Sequence, residues 1–318
     1  MIALAARDAR GDAAGDAGGD AGRDAGVVLA PEAGAILGWR IGRVPILRPA
    51  GPEAVLGGRA RGMGAYPLVP FSNRIGGGGF RFQGRDYRLT RADPGFATPI
   101  HGVGWVRRWA VVARDEASAV LRLRHPCAPA DLALWPFPFT ATLRVWLAPT
   151  RLTLTMRLVN EAAGPAPAGL GLHPYFPRPP GARLQFAATG AWVADAARLP
   201  LAHGTVPPAW DHAAGRDVGT LALDDVFTGW DGVAVLDLPP WRLRMEASAA
   251  FRHLVVFTPP GAGFFCVEPV SHMTDAVNRE GATGLVVLAP GQALEGEVTM
   301  TVEGIGTVEG IGTVEGIG

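Results

Sequence analysis

The chain has 318 residues, 48% of them hydrophobic, and its 29 basic and 29 acidic side chains cancel. That length and apolar content support one large core, and all-β folds of this size are commonly single domains. The neutral balance argues against a nucleic-acid partner, and all 29 basic residues are arginine, which excludes Schiff-base lysine chemistry, pyridoxal-phosphate attachment and a phosphate-loop lysine.

No apolar run approaches the roughly 18 residues of a membrane span, so no membrane association is expected. The start, Met1 to Asp8, turns charged before a signal-peptide core forms. Cys127 and Cys266 give no disulfide framework, and a cytoplasmic location is the default expectation.

Residues 1–26 read as a disordered low-complexity segment. From Arg7 to Gly26 the chain repeats Asp, Ala, Gly and Arg, with too little apolar surface to offset its ordering entropy. A single domain is expected over 27–302. Asn73 and Arg74 follow the apolar stretch Val69-Pro70-Phe71 and precede four glycines, Gly76 to Gly79. That glycine run lacks the helix start and lysine of a phosphate loop and reads as a flexible lead-in to a hairpin. Arg74 offers five donors in a planar fork, suited to several oxygens of a polyol. Phe80-Arg81-Phe82, a Gln-Gly-Arg-Asp turn and Tyr87-Arg88-Leu89 spell the hairpin.

His101-Gly102 lies just before Trp105, a makeup that suits either a sugar site or ordinary loop packing. The signal then becomes period two. Leu121 and Leu123, then Leu143, Val145 and Leu147, then Leu152, Leu154, Met156 and Leu158 alternate with Arg, Thr and Trp. In Gly169-Leu170-Gly171-Leu172-His173-Pro174, alternation puts two glycines and His173 on one face, as if a hollow lay beside the imidazole. A satisfied core histidine is the plainer alternative.

Further on, Leu223 to Gly232 carries Asp224, Asp225 and Asp231 near Phe227 and Trp230, acids that hold hydroxyls or simply form turns. Trp241, Leu243 and Met245 alternate again, and Leu254–Phe257 and Leu285–Leu288 read as fully buried strands. Glu268 ends the apolar run Phe264-Phe265-Cys266-Val267. A buried carboxylate there must be paired with an arginine or serve as a base of raised pKa. Residues 303–318 read as a low-complexity repeat tail, because Thr-Val-Glu-Gly-Ile-Gly recurs to Gly318; the first copy can finish a strand begun at Gly296. No long amphipathic helix is evident, so the fold class is all-β, a large antiparallel sandwich.

The histidines and cysteines show no zinc spacing, so no metal is expected. A Gly-x-Ser-x-Gly elbow and a dinucleotide fingerprint are both absent. The order Asn73-Arg74, His101-Gly102, His173-Pro174-Tyr175-Phe176, Asp224 to Phe227 and Glu268-Pro269 resembles aldose 1-epimerases (galactose mutarotases) from about Pro45 to Met300. That resemblance implies a β-supersandwich and cofactor-free interconversion of α and β anomers of a free aldose. It implies Glu268 as base and His173 as acid, with Asn73, Arg74, His101 and Asp224 on the sugar. A monosaccharide substrate follows from it, and a monomer or homodimer is expected. One base and one acid on opposite sides suffice for this reaction. Gly263 stands where the family segment offers a sugar-binding Gln, so galactose is not implied. A hexose-phosphate mutarotase using Arg107 and Arg108 at the rim, and a non-catalytic carbohydrate-binding protein on the same fold, are the alternatives. A hydrolase would need Asp224 and Glu268 as opposed carboxylates.

Overall fold

The computed structural model describes residues 1–7, 24–58, 60–219, 222–281 and 283–304. Among the described residues the strands form an eleven-stranded and a nine-stranded antiparallel sheet, with two further two-stranded ribbons. Only two short α-helices accompany them, Pro52–Gly57 and Pro129–Leu132.

The nine-stranded sheet shows why alternation makes strands here. Phe139–Ala148 and Arg151–Asn160 pair along their whole length, with Leu143 opposite Met156 and Val145 opposite Leu154. These apolar residues point one way and are buried, while Arg144, Trp146 and Arg157 on the other face meet solvent. Each fully buried Leu, Val or Met contributes roughly 1.5–3 kcal/mol relative to exposure. The apolar face meets that of the eleven-stranded sheet, and one core cluster takes residues from both, including Leu143, Met156, Leu172, Phe176, Phe227 and Phe265.

Five consecutive strands of the larger sheet position the site: Ala65–Leu68, Gly171–Pro177, Phe264–Val270, His253–Phe257 and Asp224–Thr228. Their core-facing residues include Leu172, Phe176, Phe265, Val267, Leu254 and Val256. The alternate residues, among them Tyr66, Tyr175, Val226, Val255 and Cys266, form a second, smaller cluster on the far face of the same sheet. A two-sided sheet buried on both faces reads as near-continuous apolar sequence, as these strands do.

Two sequence expectations need correction. Ile2–Ala6 is a strand, pairing Ile2 with Leu29 and Leu4 with Val27. Ile2 and Leu4 are buried in the core, and the Ala5 N–H donates to the Glu116 carbonyl. The poor composition of the tract hid this strand, because its partner lies beyond the low-complexity stretch. Residues 8–23 of that segment, and 305–318 of the repeat tail, lie outside the described residues. Leu285–Leu288 is not fully buried: among the described residues Val286–Leu288 pairs only with Ala166–Ala168, and Val287 is 55% exposed. The hairpin is present as Gly79–Phe82 and Arg85–Arg88. The first repeat copy does finish a genuine strand, Ala293–Glu303.

Candidate active site

His173 and Glu268 belong to neighbouring strands. Gly171 pairs with Val270 and Tyr175 with Cys266, so His173 and Glu268 stand opposite each other on one face. Nε2 of His173 lies 3.2 Å from Oε1 of Glu268, and the side chains are only 8% and 4% exposed. The imidazole stacks on Tyr175 at 4.7 Å and packs against Tyr66 at 4.8 Å. The two tyrosine hydroxyls lie 3.1 Å apart.

A cavity of about 240 Å³ opens above this pair. Asn73, Arg74, His101, His173, Asp224 and Glu268 all line it. The structure thus gathers all six candidate residues from five separate stretches of chain. Tyr66, Tyr175, Phe96, Phe257, Phe264 and Arg61 complete the wall, and Arg61 and Phe264 also border a wider groove of about 1120 Å³ outside.

The loops that deliver Asn73, Arg74 and His101 are strained. Asn73, His101, Arg198 and Asp275 have φ near +60°, four of the six non-glycine residues described in that region. Such positions cost of order 1–3 kcal/mol each and persist where surroundings over-determine them. The Asn73 N–H donates to Nδ1 of His101, leaving Nε2 to carry that ring's proton. Asn73 Oδ1 accepts from both the N–H and Nη1 of Arg74. Arg74 and Arg198 flank Asp224 at 3.8 and 3.7 Å.

Burial dominates the electrostatics. It lowers the His173 pKa to about 3, with the Arg48 charge adding to the effect. It pushes the Glu268 carboxyl well above its usual range, helped by the Asp224 charge and opposed by Arg74. Burial also raises Asp224, against the pull of Arg74 and Arg198, and lowers His101, with His173 next. The dry pair therefore favours forms without net charge.

Several sequence readings change. The two glycines do not leave a hollow beside His173. A Cβ at Gly169 would fall 2.1 Å from Cδ2 of His272, and one at Gly171 would press on Leu68 and Val270. The acid and base candidates are side by side rather than on opposite sides. Trp105 is buried and donates to the Ile100 and Gly102 carbonyls, so it supports the loop from behind. Arg107 and Arg108 are held in ion pairs with Asp131 and Glu32, and neither lines the cavity. Of the three acids near Trp230, only Asp224 lines it; Asp225 accepts from the Ala194 N–H and Asp231 from the Val233 N–H.

Sequence reasoning missed Tyr66, which reads as core in Ala-Tyr-Pro-Leu, and Arg61, which sits among small residues with no pattern. It also missed a possible donor set. Ligand atoms of His173, Cys266 and Glu268 lie within 4.8 Å of one another. Burial raises the pKa of both that thiol and that carboxyl, which disfavours the ionised forms that ligate.

The family model for aldose 1-epimerase matches residues 25–301. The uncharacterized protein YphB of Escherichia coli (strain K12) is 29% identical over 285 residues, 86% of this chain and 94% of YphB. A crystal structure from E. coli K12 superposes with a TM-score of 0.80 at 29% identity, covering 88% of this chain and 96% of that one. A galactose mutarotase-like protein of Clostridium acetobutylicum gives 0.77 at 19% identity, covering 89% and 93%, a likeness of fold.

Proposed function

The chain belongs to the aldose 1-epimerase family, and from that premise we propose that it is a mutarotase interconverting the α and β anomers of a free aldose. The observation that carries this reading is the buried 3.2 Å contact between His173 and Glu268 at the floor of a sugar-sized cavity.

The side-by-side arrangement suits the reaction. The anomeric hydroxyl and the ring oxygen are both bonded to C1, so the two groups that serve them must be close neighbours. When the sugar binds, the proton shared by the pair passes from Glu268 to His173, and the Glu268 carboxylate then takes the proton of the C1 hydroxyl. The C1–O bond of the ring breaks, its electron pair goes to the ring oxygen, and His173 in its protonated form supplies the proton there. The product is the open-chain aldehyde, with Glu268 protonated and His173 neutral. Rotation about C1–C2 presents the other face, and closure returns both protons. Nothing is consumed, and the pair ends as it began. Two such groups each contribute roughly 10²–10⁴ in rate.

The other lining residues have complementary tasks. Nε2–H of His101 and the Arg74 guanidinium are donors for the ring oxygen region, where charge develops. Asp224, held between two arginines, accepts from sugar hydroxyls. The aromatic wall of Tyr66, Phe96, Phe257 and Phe264 covers the apolar face of a pyranose.

A second reading has its own observation. Arg61 stands at the cavity mouth over Phe96, 4.8 Å from the ring centre, and forms no carboxylate ion pair among the described residues. That guanidinium suits an aldose bearing a phosphate or other anionic substituent. It takes the place of Arg107 and Arg108, which are already paired.

Polarimetry on freshly dissolved α-D-glucose and α-D-galactose, with a hexose 6-phosphate alongside, tests these readings. Acceleration with a free aldose supports the first, and acceleration confined to the phosphate supports the second. No acceleration with any of them removes the enzyme and leaves a sugar-binding protein.

A further inference from the structure

Asn73 and Arg74 enter the cavity from a turn whose neighbours in the chain are tied down at alternate residues. The Ser72 N–H donates to Nε2 of His272 at 3.1 Å. The Gly76 N–H donates to Oδ1 of Asp275 at 2.8 Å. Between them, the Arg74 carbonyl accepts from the Asp275 N–H at 2.9 Å. One short segment, residues 272–275, therefore grips the main chain at 72, 74 and 76. That segment follows directly on the Glu268 strand, which ends at Val270.

The gripping groups are themselves fixed. Nδ1 of His272 faces the Met273 carbonyl at 2.7 Å, which assigns the proton to Nδ1 and leaves Nε2 as an acceptor. Burial lowers the pKa of this ring to about 4, keeping it in that neutral form. Its ring fills the space that Gly169 leaves open. Asp275 accepts from Nδ2 of Asn278 and faces Nε of Arg279 at 3.3 Å. His272 and Asp275 are 2% and 5% exposed, and neither lines the sugar-sized cavity. They cannot touch a bound sugar.

We propose that His272 and Asp275 are positioning residues: they clamp the Ser72–Gly76 segment to the end of the Glu268 strand and thereby set where Asn73 and Arg74 stand relative to the Glu268 carboxyl. The proposal rests on the reading of Arg74 as a sugar-binding group. Under it, the proton-handling carboxyl and the sugar-binding guanidinium share one mechanical frame, and loosening the clamp misplaces the sugar without removing any group that contacts it.

The test is a double-mutant cycle on the full chain, with hydrogen exchange as an independent readout. Asp275→Ala is expected to raise KM roughly tenfold, the scale of a lost buried hydrogen bond, with a smaller change in kcat. Asp275→Asn keeps an oxygen for the Gly76 N–H and should recover most of that loss. Adding Asp275→Ala to Arg74→Ala should raise KM by much less than the roughly tenfold it causes in the wild type, whereas a general structural defect multiplies the two effects. The Gly76 amide should exchange faster in Asp275→Ala. If that variant fails to fold, His272→Gln carries the same cycle with Arg74→Ala, read at the Ser72 amide. A folded Asp275→Ala with wild-type KM and unaltered exchange, or effects that multiply, overturns the clamp. If the wild-type chain lacks mutarotase activity, the function reading fails, while accelerated or unaltered exchange still decides the clamp.

Discussion

Glu268 and His173, 3.2 Å apart, are close enough to share a proton. Burial holds the imidazole down at about 3 and lifts the carboxyl well above 4.5, so between those limits the pair carries one transferable proton. Under the proposed mechanism, that proton rests on the carboxyl in the dry site and moves to the imidazole when a sugar binds. The working state is therefore lost on the alkaline side, as the pair gives up its proton. On the acid side it survives well below the ordinary histidine value of 6.5. The mutarotation rate, corrected for the spontaneous reaction, should stay level as pH falls from 6.5 to 4.5 and decline toward alkaline pH. A loss centred near 6.5 on the acid side would show an exposed, ordinary imidazole instead.

At the scale of elements, the site depends on strands that expose chemistry on the face turned away from the core. That much is legible in sequence, because His173 and Glu268 interrupt apolar strands at period-two positions. The partners that brace them are less legible. His272 and Asp275 follow a strand inside Ser-His-Met-Thr-Asp, which reads as an ordinary polar loop, and their targets lie some 200 residues earlier. Gly169 misled for a related reason. A glycine records that something comes close, but not whether that thing is a ligand or a neighbouring ring. Gly169→Ala should force the His272 ring aside and destabilise the protein by roughly 1–3 kcal/mol, as overpacking does. Thermal unfolding checks the magnitude. Because the displaced ring is the one that holds Ser72, the KM for sugar should rise in parallel.

For the whole molecule, sequence conveyed the class of fold but not its edges. Alternation in Leu121–Leu123 or Trp241–Met245 needs only local residues, whereas the strand Ile2–Ala6 exists through its pairing with Ala25–Ala30 across the low-complexity tract. The buried histidines give a global consequence that composition could not. His101, His125, His173, His212, His253 and His272 all have lowered pKa values in the folded chain, with burial the largest cause each time. The unfolded chain therefore takes up protons first as pH falls below 6.5, and their contribution to stability, full above that value, is lost on the way to about 4 for His253 and His272. Glu268 and Asp224 act oppositely, since their raised values favour the folded state at low pH. Six lowered histidines oppose two raised carboxyls over this interval, and the melting temperature should fall between pH 6.5 and 4.5. A melting temperature that rises over this interval would mean the carboxyls dominate.

The side-by-side carboxyl and imidazole are the centre of the account, and anomer exchange observed by magnetisation-transfer NMR at equilibrium reads their work without coupling enzymes. The wild-type chain should speed α–β exchange of an accepted aldose. Glu268→Gln, which preserves size and hydrogen bonding but cannot take the C1 proton, should lose roughly 10²–10⁴ of that rate while calorimetry finds sugar affinity within a few-fold of wild type. Exchange that proceeds as fast in Glu268→Gln as in the wild type would contradict the account.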